Sequence, residues 1–327
     1  MLKILVTGAF GQIGTELTPA LQQKHGKDNV IALGHNNIPK DFEGIVEKAD
    51  INDLEKIQSI IKKYDIKEIY HLVSLLSVGG EAQPDLCWEI NMGGLKKILD
   101  FARDYKLKVF WPSSIAAFGP TTPKDNTPQT TILEPTTIYG VTKVAGELLC
   151  QYYNQRWGID VRSLRYPGIV SWKTPPSQGT SEYSIAMFYE GLPTGKYKCY
   201  LRENTRIPMM YVDDAVKATL MIMDSPETKI KVRTSYNISA LSFSAKELEN
   251  EIKKHIPLVV TYKPDERQKI ADSWPNSLDD NEARSDWGWK PDFELPQLVE
   301  EIIKNLKANP DLIGVKYNKD DGKKYIL

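Results

Sequence analysis

Three glycines at a spacing of three, Gly8, Gly11 and Gly14, stand where the apolar run 2–6 gives way to a helical segment over 11–23. A strand that turns directly into a helix commits the chain to a parallel sheet with helical crossovers, so this junction narrows the possible folds more than any other feature. Gly8 permits the sharp turn, Gly11 lets the backbone approach a pyrophosphate, and Gly14 lets the helix lie close to the sheet. The unpaired N–H groups at the start of the helix are then offered to the anion. A tight turn holding no ligand is the plainer alternative, but the position after a strand and before a helix favours phosphate binding.

The same alternation continues down the chain. Strand signals at 29–33, 68–73, 108–111 and 160–164 are separated by helical patterns at 52–63, 86–105 and 138–157. In the helix over 52–63, Leu54, Ile57, Ile60 and Ile61 fall at helical spacing, with Asn52 or Asp53 as its cap. The helix over 138–157 shows one apolar face, Val141, Val144, Ala145, Leu148, Leu149 and Tyr152, and ends at Gly158. This pattern predicts an α/β fold, a Rossmann doubly wound parallel sheet with a smaller C-terminal substrate lobe. From Pro167 the βα alternation weakens and loops such as 173–180 appear, with further helices at 245–255 and 295–306. The expected division is a nucleotide-binding domain over 1–168, with segments near 207–240 returning to it, a mainly substrate-binding lobe over 169–307, and a C-terminal extension over 308–327.

Composition removes several classes of function. The formal net charge of −1 among 327 residues argues against binding nucleic acid by bulk charge. No stretch approaches the length of uninterrupted apolar residues that a membrane span needs. Three cysteines without CxxC spacing and four histidines without HExxH give no basis for a disulfide framework or a metal centre, and a reducing, cytoplasmic setting is expected. Cys87, Cys150 and Cys199 read as packing residues, as do Trp287 and Trp289, which would anchor the C-terminal lobe.

The strongest chemical signal is Tyr139-Gly140-Val141-Thr142-Lys143 on the long helix, preceded by Ser113 and Ser114 at the end of a strand. Residues four apart share a helix face, so the Lys143 ammonium is expected to depress the pKa of the Tyr139 phenol toward general-base use, with a serine hydroxyl holding the reacting oxygen. A dinucleotide site also expects an acidic residue at the end of the second strand to bind the adenosine ribose. Here that stretch reads Gly34-His35-Asn36-Asn37, leaving Asn36, Asn37 or the His35 backbone for the ribose. Nothing basic stands there for a 2′-phosphate, which favours NAD. Asp50, with Ile51, is placed either to accept from the adenine amino group or as a charge at a helix start. Asp213-Asp214 resembles a paired carboxylate, with Asp214 expected as a helix cap.

Taken in order, the GxxGxxG turn, Asp50-Ile51, Asn91, the Ser113-Ser114 to Phe118-Gly119 segment and Tyr139xxxLys143 resemble the extended short-chain dehydrogenase/reductases, the NAD-dependent epimerase/dehydratase family. The runs 110–116, 162–168, 209–214 and 267–275 are similar to its L-threonine 3-dehydrogenase branch. The resemblance implies a catalytic set of Ser114, Tyr139 and Lys143. It implies NAD held by Gly8, Phe10, Gly11, Gln12, Ile13, Gly14, His35, Asn36, Asp50, Ile51, Leu72, Val73, Ser74, Asn91, Pro112 and Tyr166, with Tyr139 and Lys143. L-threonine would meet Ser77, Ser113, Ser114, Tyr139, Thr180, Ser181 and Trp274. The implied reaction is oxidation of L-threonine at its side-chain hydroxyl carbon to 2-amino-3-oxobutyrate, in a homodimer joined through helices 86–105 and 138–157. The chain departs from the branch at Gly34, where an acidic residue is common, at Leu72-Val73-Ser74, and at Ser177-Gln178-Gly179 and Ser181-Glu182. A nucleotide-sugar epimerase or reductase is the alternative, with Arg202 and Arg206 available for a diphosphate. A non-catalytic nucleotide sensor is the reading from another class.

Overall fold

The structure, a computed structural model, describes residues 2–35, 38–177 and 179–314. Asn36, Asn37, Gln178 and the stretch 315–327 of the expected C-terminal extension lie outside the described residues. The strands in chain order are β1 (Ile4–Thr7), β2 (Val30–Gly34), β3 (Ile45–Lys48), β4 (Glu68–His71), β5 (Lys108–Ser114), β6 (Val161–Tyr166), β7 (Gly168–Val170), β8 (Lys196–Cys199), β9 (Arg206–Tyr211), β10 (Tyr236–Asn237), β11 (Leu241–Ser244) and β12 (Val259–Tyr262). The helices are α1 (Gly14–His25), α2 (Leu54–Tyr64), α3 (Ser77–Ala82), α4 (Pro84–Trp88), α5 (Gly94–Tyr105), α6 (Ile138–Trp157), α7 (Tyr183–Thr194), α8 (Val212–Asp224), α9 (Ala245–Ile252), α10 (Arg267–Ser273), α11 (Asn281–Trp287), α12 (Leu295–Ala308) and α13 (Asp311–Gly314). None of the helices among the described residues is long and apolar enough to cross a membrane.

Seven strands form one parallel sheet in the order β10-β6-β5-β4-β1-β2-β3, the doubly wound α/β arrangement that the alternation predicts. Helices cover both faces, so a central strand must be apolar on both sides, and every residue of β1 is buried. Ile4 and Val6 belong to one core and Leu5 to the other, as the two-residue period of a strand requires. The order reverses between β1 and β4, which opens a crevice beyond the carboxyl ends of these strands. Past β6 the chain enters a three-stranded sheet, β11-β9-β7, and a two-stranded one, β12-β8. It returns to the main sheet through β10, which pairs with Leu164 and Arg165 of β6.

Local chemistry explains the element boundaries. Asp53, and not Asn52, caps α2, its carboxylate accepting from the Lys56 N–H at 3.0 Å. Thr137 caps α6 by accepting from the Gly140 N–H at 3.1 Å, and Gly158 ends that helix in a left-handed conformation with φ +66°. The face of α6 that packs inward is not the apolar stripe. Tyr139, Thr142, Lys143, Gly146, Glu147, Cys150 and Tyr153 are buried, while Val141, Leu148 and Tyr152 are 40, 57 and 50% exposed. Gly146 sets this orientation. A Cβ there would lie 2.4 Å from Trp111 Cη2, so the helix rests directly on β5.

Two of the longer helices, α7 and α8, have no counterpart among the expected ones. α7 is buried on nearly every side and has no polar stripe to reveal its period. α8 has Tyr211 at its N-cap, so Asp214 lies inside the first turn and does not cap it. The Asp214 carboxylate instead accepts from the Asp292 and Phe293 N–H groups at 2.8 and 3.2 Å, tying the approach to α12 onto α8. Trp287 and Trp289 pack with each other in the C-terminal part, Trp287 edge-on to Tyr236, and all three cysteines are buried free thiols.

Candidate active site

The turn between β1 and α1 makes a cradle that only small residues permit. Gly8 adopts φ +72°, and the Gly11 N–H donates to the Gly8 carbonyl at 3.1 Å. A Cβ on Gly14 would stand 2.3 Å from the Gly8 oxygen and 2.6 Å from the Ala9 carbonyl carbon, pushing α1 off the sheet. No side chain caps α1, and the Thr15 and Glu16 N–H groups of its first turn donate to the Gly11 and Ile13 carbonyls at 2.9 and 3.1 Å. The cleft beside the cradle has a volume of about 220 Å³ and is lined by Gly8, Phe10, Gly11, Gly34, His35, Asp50, Ile51, Leu72, Val73 and Ser74, among others. A turn that excludes side chains, an uncapped helix start and a cleft running past the end of β2 together fit a dinucleotide.

The second constellation forms where β5 meets α6. Tyr139 and Lys143 sit one helical turn apart on the buried face of α6, and the Ser114 hydroxyl at the end of β5 hydrogen-bonds the Tyr139 phenol. Ser114 Oγ also accepts from the Ala116 N–H at 3.1 Å, which fixes its rotamer. Lys143 Nζ donates to the Pro112 carbonyl at 2.8 Å and lies 4.7 Å from the centre of the Trp111 ring and 5.3 Å from that of Tyr139. Burial dominates the electrostatics. It pushes the Tyr139 phenol up to about 12, with the Ser114 hydrogen bond acting in the opposite direction, and brings the Lys143 ammonium down to about 7. The lysine-driven depression of Tyr139 expected from helical spacing is therefore not the dominant effect in the protein alone.

Supporting groups hold this arrangement. Asn91 lies in a single π-helical turn, Glu89–Gly93, between α4 and α5. Its side chain accepts from the Leu75 N–H at 2.8 Å and donates to the Leu75 carbonyl at 3.0 Å and to Thr142 Oγ1 at 3.1 Å, clamping the Ser74-Leu75 loop to α6. Ser113 donates to Glu147 at 2.6 Å, and Glu147 is paired with Arg165 at 2.7 Å inside the protein. The Tyr166 hydroxyl pairs with Thr219 of α8. Ser77 and Thr180, a hundred residues apart in sequence, approach to 3.5 Å. Ser181 packs on Gly168, where a Cβ would lie 2.8 Å from its own Cβ, and Trp274 is buried just past α10. Gln12 donates to the Ile169 carbonyl at 3.3 Å.

Three residues with no signal in the sequence spacing complete the surroundings. Glu182 is buried, accepts from the Ser177 N–H at 3.0 Å and hydrogen-bonds the Gln12 side chain, linking the loop before α7 to the glycine turn. Burial pushes its carboxyl up to about 7. The Tyr200 hydroxyl donates to the Gly179 and Thr180 carbonyls at 3.2 and 3.3 Å, and the Arg267 guanidinium stacks 3.2 Å over the Tyr200 ring. Arg202 and Arg206, the side chains available for a sugar diphosphate, are engaged by Asp272 at 2.5 Å and Glu247 at 2.6 Å.

The fold and these motifs define a dinucleotide-dependent enzyme of the short-chain type, and the chain belongs to the NAD dependent epimerase/dehydratase family, whose model matches residues 4–239. Within that family it is similar to the mitochondrial L-threonine 3-dehydrogenase of Bos taurus, with 45% identity over 92% of this chain and 82% of that protein. Among solved structures it is similar to the GalE-like L-threonine dehydrogenase of Cupriavidus necator in its holo form, at 43% identity and a TM-score of 0.91 over 93% of this chain and 99% of the other. It is also similar to the apo form of a monomeric L-threonine 3-dehydrogenase from a metagenome, at 49% identity and a TM-score of 0.92 over 94% of this chain and 99% of the other.

Proposed function

We propose that this chain is an NAD-dependent L-threonine 3-dehydrogenase, with Ser114, Tyr139 and Lys143 as its catalytic groups. The observation that carries the reading is the buried Tyr139 with Lys143 one turn away and the Ser114 hydroxyl on its phenol, beside a cradle that fits a dinucleotide. Residues 1–168, together with the return through 207–240, hold the cofactor, and 169–307 supply the substrate lobe. Bound NAD+ supplies the acceptor for the hydride that leaves the hydroxyl-bearing carbon, giving 2-amino-3-oxobutyrate.

The protein's own part is to move and place a proton. Tyr139, as phenolate, takes the proton of the threonine hydroxyl while Ser114 holds that oxygen in line. Lys143 in its cationic form stabilises the phenolate, and a buried ammonium brought down to about 7 still holds its proton in part near neutrality. Ser77, Thr180 and Ser181 offer hydroxyls and N–H groups to the zwitterion, and Trp274 keeps water from the reacting carbon. Asn91 and Tyr200 act through the loops that they brace. Incubation with L-threonine and NAD+ is expected to raise NADH absorbance, and Tyr139→Phe to lower the turnover about 10²- to 10⁴-fold. No NADH from threonine, or an undiminished rate in the variant, sinks the assignment.

The chain is also proposed to pair as a homodimer through α4, α5 and α6. Trp88, Val141, Leu148 and Tyr152 are all exposed on these helices, an apolar surface that a second copy would cover. Three free thiols, all buried, suit a reducing compartment such as the cytoplasm.

A further inference from the structure

We propose that Glu147 is a positioning residue of the catalytic set, a buried counter-charge that favours the ammonium form of Lys143 beside the Tyr139 phenol. The inference rests on the reading of Tyr139 and Lys143 as the pair that moves the proton, and it concerns the charges around them. Three consecutive residues of β5 are laced to α6. The Pro112 carbonyl accepts from Lys143 Nζ at 2.8 Å, Ser113 Oγ donates to Glu147 Oε1 at 2.6 Å, and the Ser114 hydroxyl meets the Tyr139 phenol. Ser113 therefore fixes the Glu147 carboxylate, and the substrate hydroxyl is left to Ser114.

Lys143 and Glu147 stand one helical turn apart on the inward face of α6, and both are buried. Side chains at that spacing are neighbours, with Cβ atoms about 5–6 Å apart. Away from water the attraction between opposite charges is little screened. The other titratable groups that act on Lys143 are uncharged near neutrality. Burial pushes the Cys87 thiol of α4 up to about 11 and the Tyr139 phenol up to about 12, raises the Cys150 thiol of α6 well beyond its ordinary range, and brings the His71 imidazole of β4 down to about 3. Glu147 is thus the anion among these groups. Its other partner is Arg165 of β6, whose Nε and Nη2 donate to the two carboxylate oxygens at 2.9 and 2.7 Å. The Gln129 carbonyl and the Asn237 side chain, each at 3.0 Å, hold Arg165 from the far side. Loss of water draws the Lys143 ammonium down, and the carboxylate one turn away acts against that loss.

The test follows Lys143 in the full chain without ligands, by carbon NMR of isotope-enriched lysine Cε across a range of pH. The Lys143 resonance is assigned by its absence in Lys143→Met. Glu147→Gln keeps the shape of the side chain and loses its charge, and is expected to lower the Lys143 midpoint by at least about half a pH unit relative to wild type. Glu147→Asp and Ser113→Ala both keep the charge and are expected to leave the midpoint close to that of wild type. Where Glu147→Gln does not fold, the double variant E147Q/R165M, which leaves no guanidinium buried without its partner, carries the same test with a smaller fall. The pH profile of NADH production from L-threonine is expected to move in the same direction in Glu147→Gln, with a lower plateau because the phenolate loses part of its cationic neighbour. An unmoved Lys143 midpoint in the folded charge-removing variant overturns the proposal. An equal fall in Glu147→Asp or Ser113→Ala also overturns it, because packing and not charge would then be the cause. A fall confined to the charge-removing variant, in a protein that oxidises no threonine, supports the counter-charge and removes the dehydrogenase reading alone.

Discussion

Tyr139, Lys143 and Glu182 are all ionisable and all buried, and at each the loss of water outweighs any other single influence on its protonation. On the proposed role of Tyr139 the rate is expected to rise with pH through about 7 and then level off, because the Tyr139-Lys143 pair must lose one proton and Lys143, brought down to about 7, is the group that yields it. For Glu182 the consequence falls on stability. Its folded value of about 7 lies above the ordinary 4.5, so its contribution is complete below pH 4.5 and is lost as pH rises through about 7. That loss is on the order of 3 kcal/mol. Melting curves of wild type and Glu182→Gln between pH 5 and pH 8 are expected to differ in slope, the wild type losing more midpoint temperature on the way to pH 8. Parallel curves would show that the carboxyl is solvated.

At the scale of elements, α6 is the part on which the site depends. It carries Tyr139 and Lys143, and its height above β5 is set by one residue without a side chain. Gly146→Ala puts a methyl group 2.4 Å from Trp111, whose ring also lies 4.7 Å from Lys143 Nζ. The helix would have to lift or Trp111 turn, at a cost of about 1–3 kcal/mol. A fall in melting temperature together with a raised KM for NAD+ is the expected result, the second because Trp111 and Lys143 move together. A variant as stable and as active as wild type would mean that the packing gives way freely at this point. The periodicity of α6 is legible in the sequence, but its orientation is not. Apolar spacing gathers Val141, Leu148 and Tyr152 on one face, and Gly146 lets the polar face that carries Tyr139 and Lys143 approach β5.

That inversion bears on the whole molecule. A helix whose apolar stripe faces outward leaves an exposed hydrophobic surface, here continued by Trp88, and a second copy of the chain is the proposed cover. Light scattering after size exclusion is expected to give twice the chain mass for the wild type and a single chain mass for the double variant Leu148→Glu/Tyr152→Glu. A monomeric wild type defeats the proposal, and a homologue described as monomeric makes the measurement decisive.

Patterns that are local in the chain were readable without a structure. The glycine turn, the βα alternation and the four-residue spacing of Tyr139 and Lys143 follow from backbone sterics and helical pitch, which act over a few residues, and they were enough to give the α/β class. What the tertiary structure alone decided lies between residues far apart in the chain: Ser77 against Thr180, Glu182 against Gln12, Tyr200 beneath the Gly179-Thr180 backbone, and Phe10 filling the space over Gly34. The electrostatics belong there too, because desolvation depends on what surrounds a group in space. Sequence spacing brings a lysine near a tyrosine, but only the packed interior determines which of them gives up its charge.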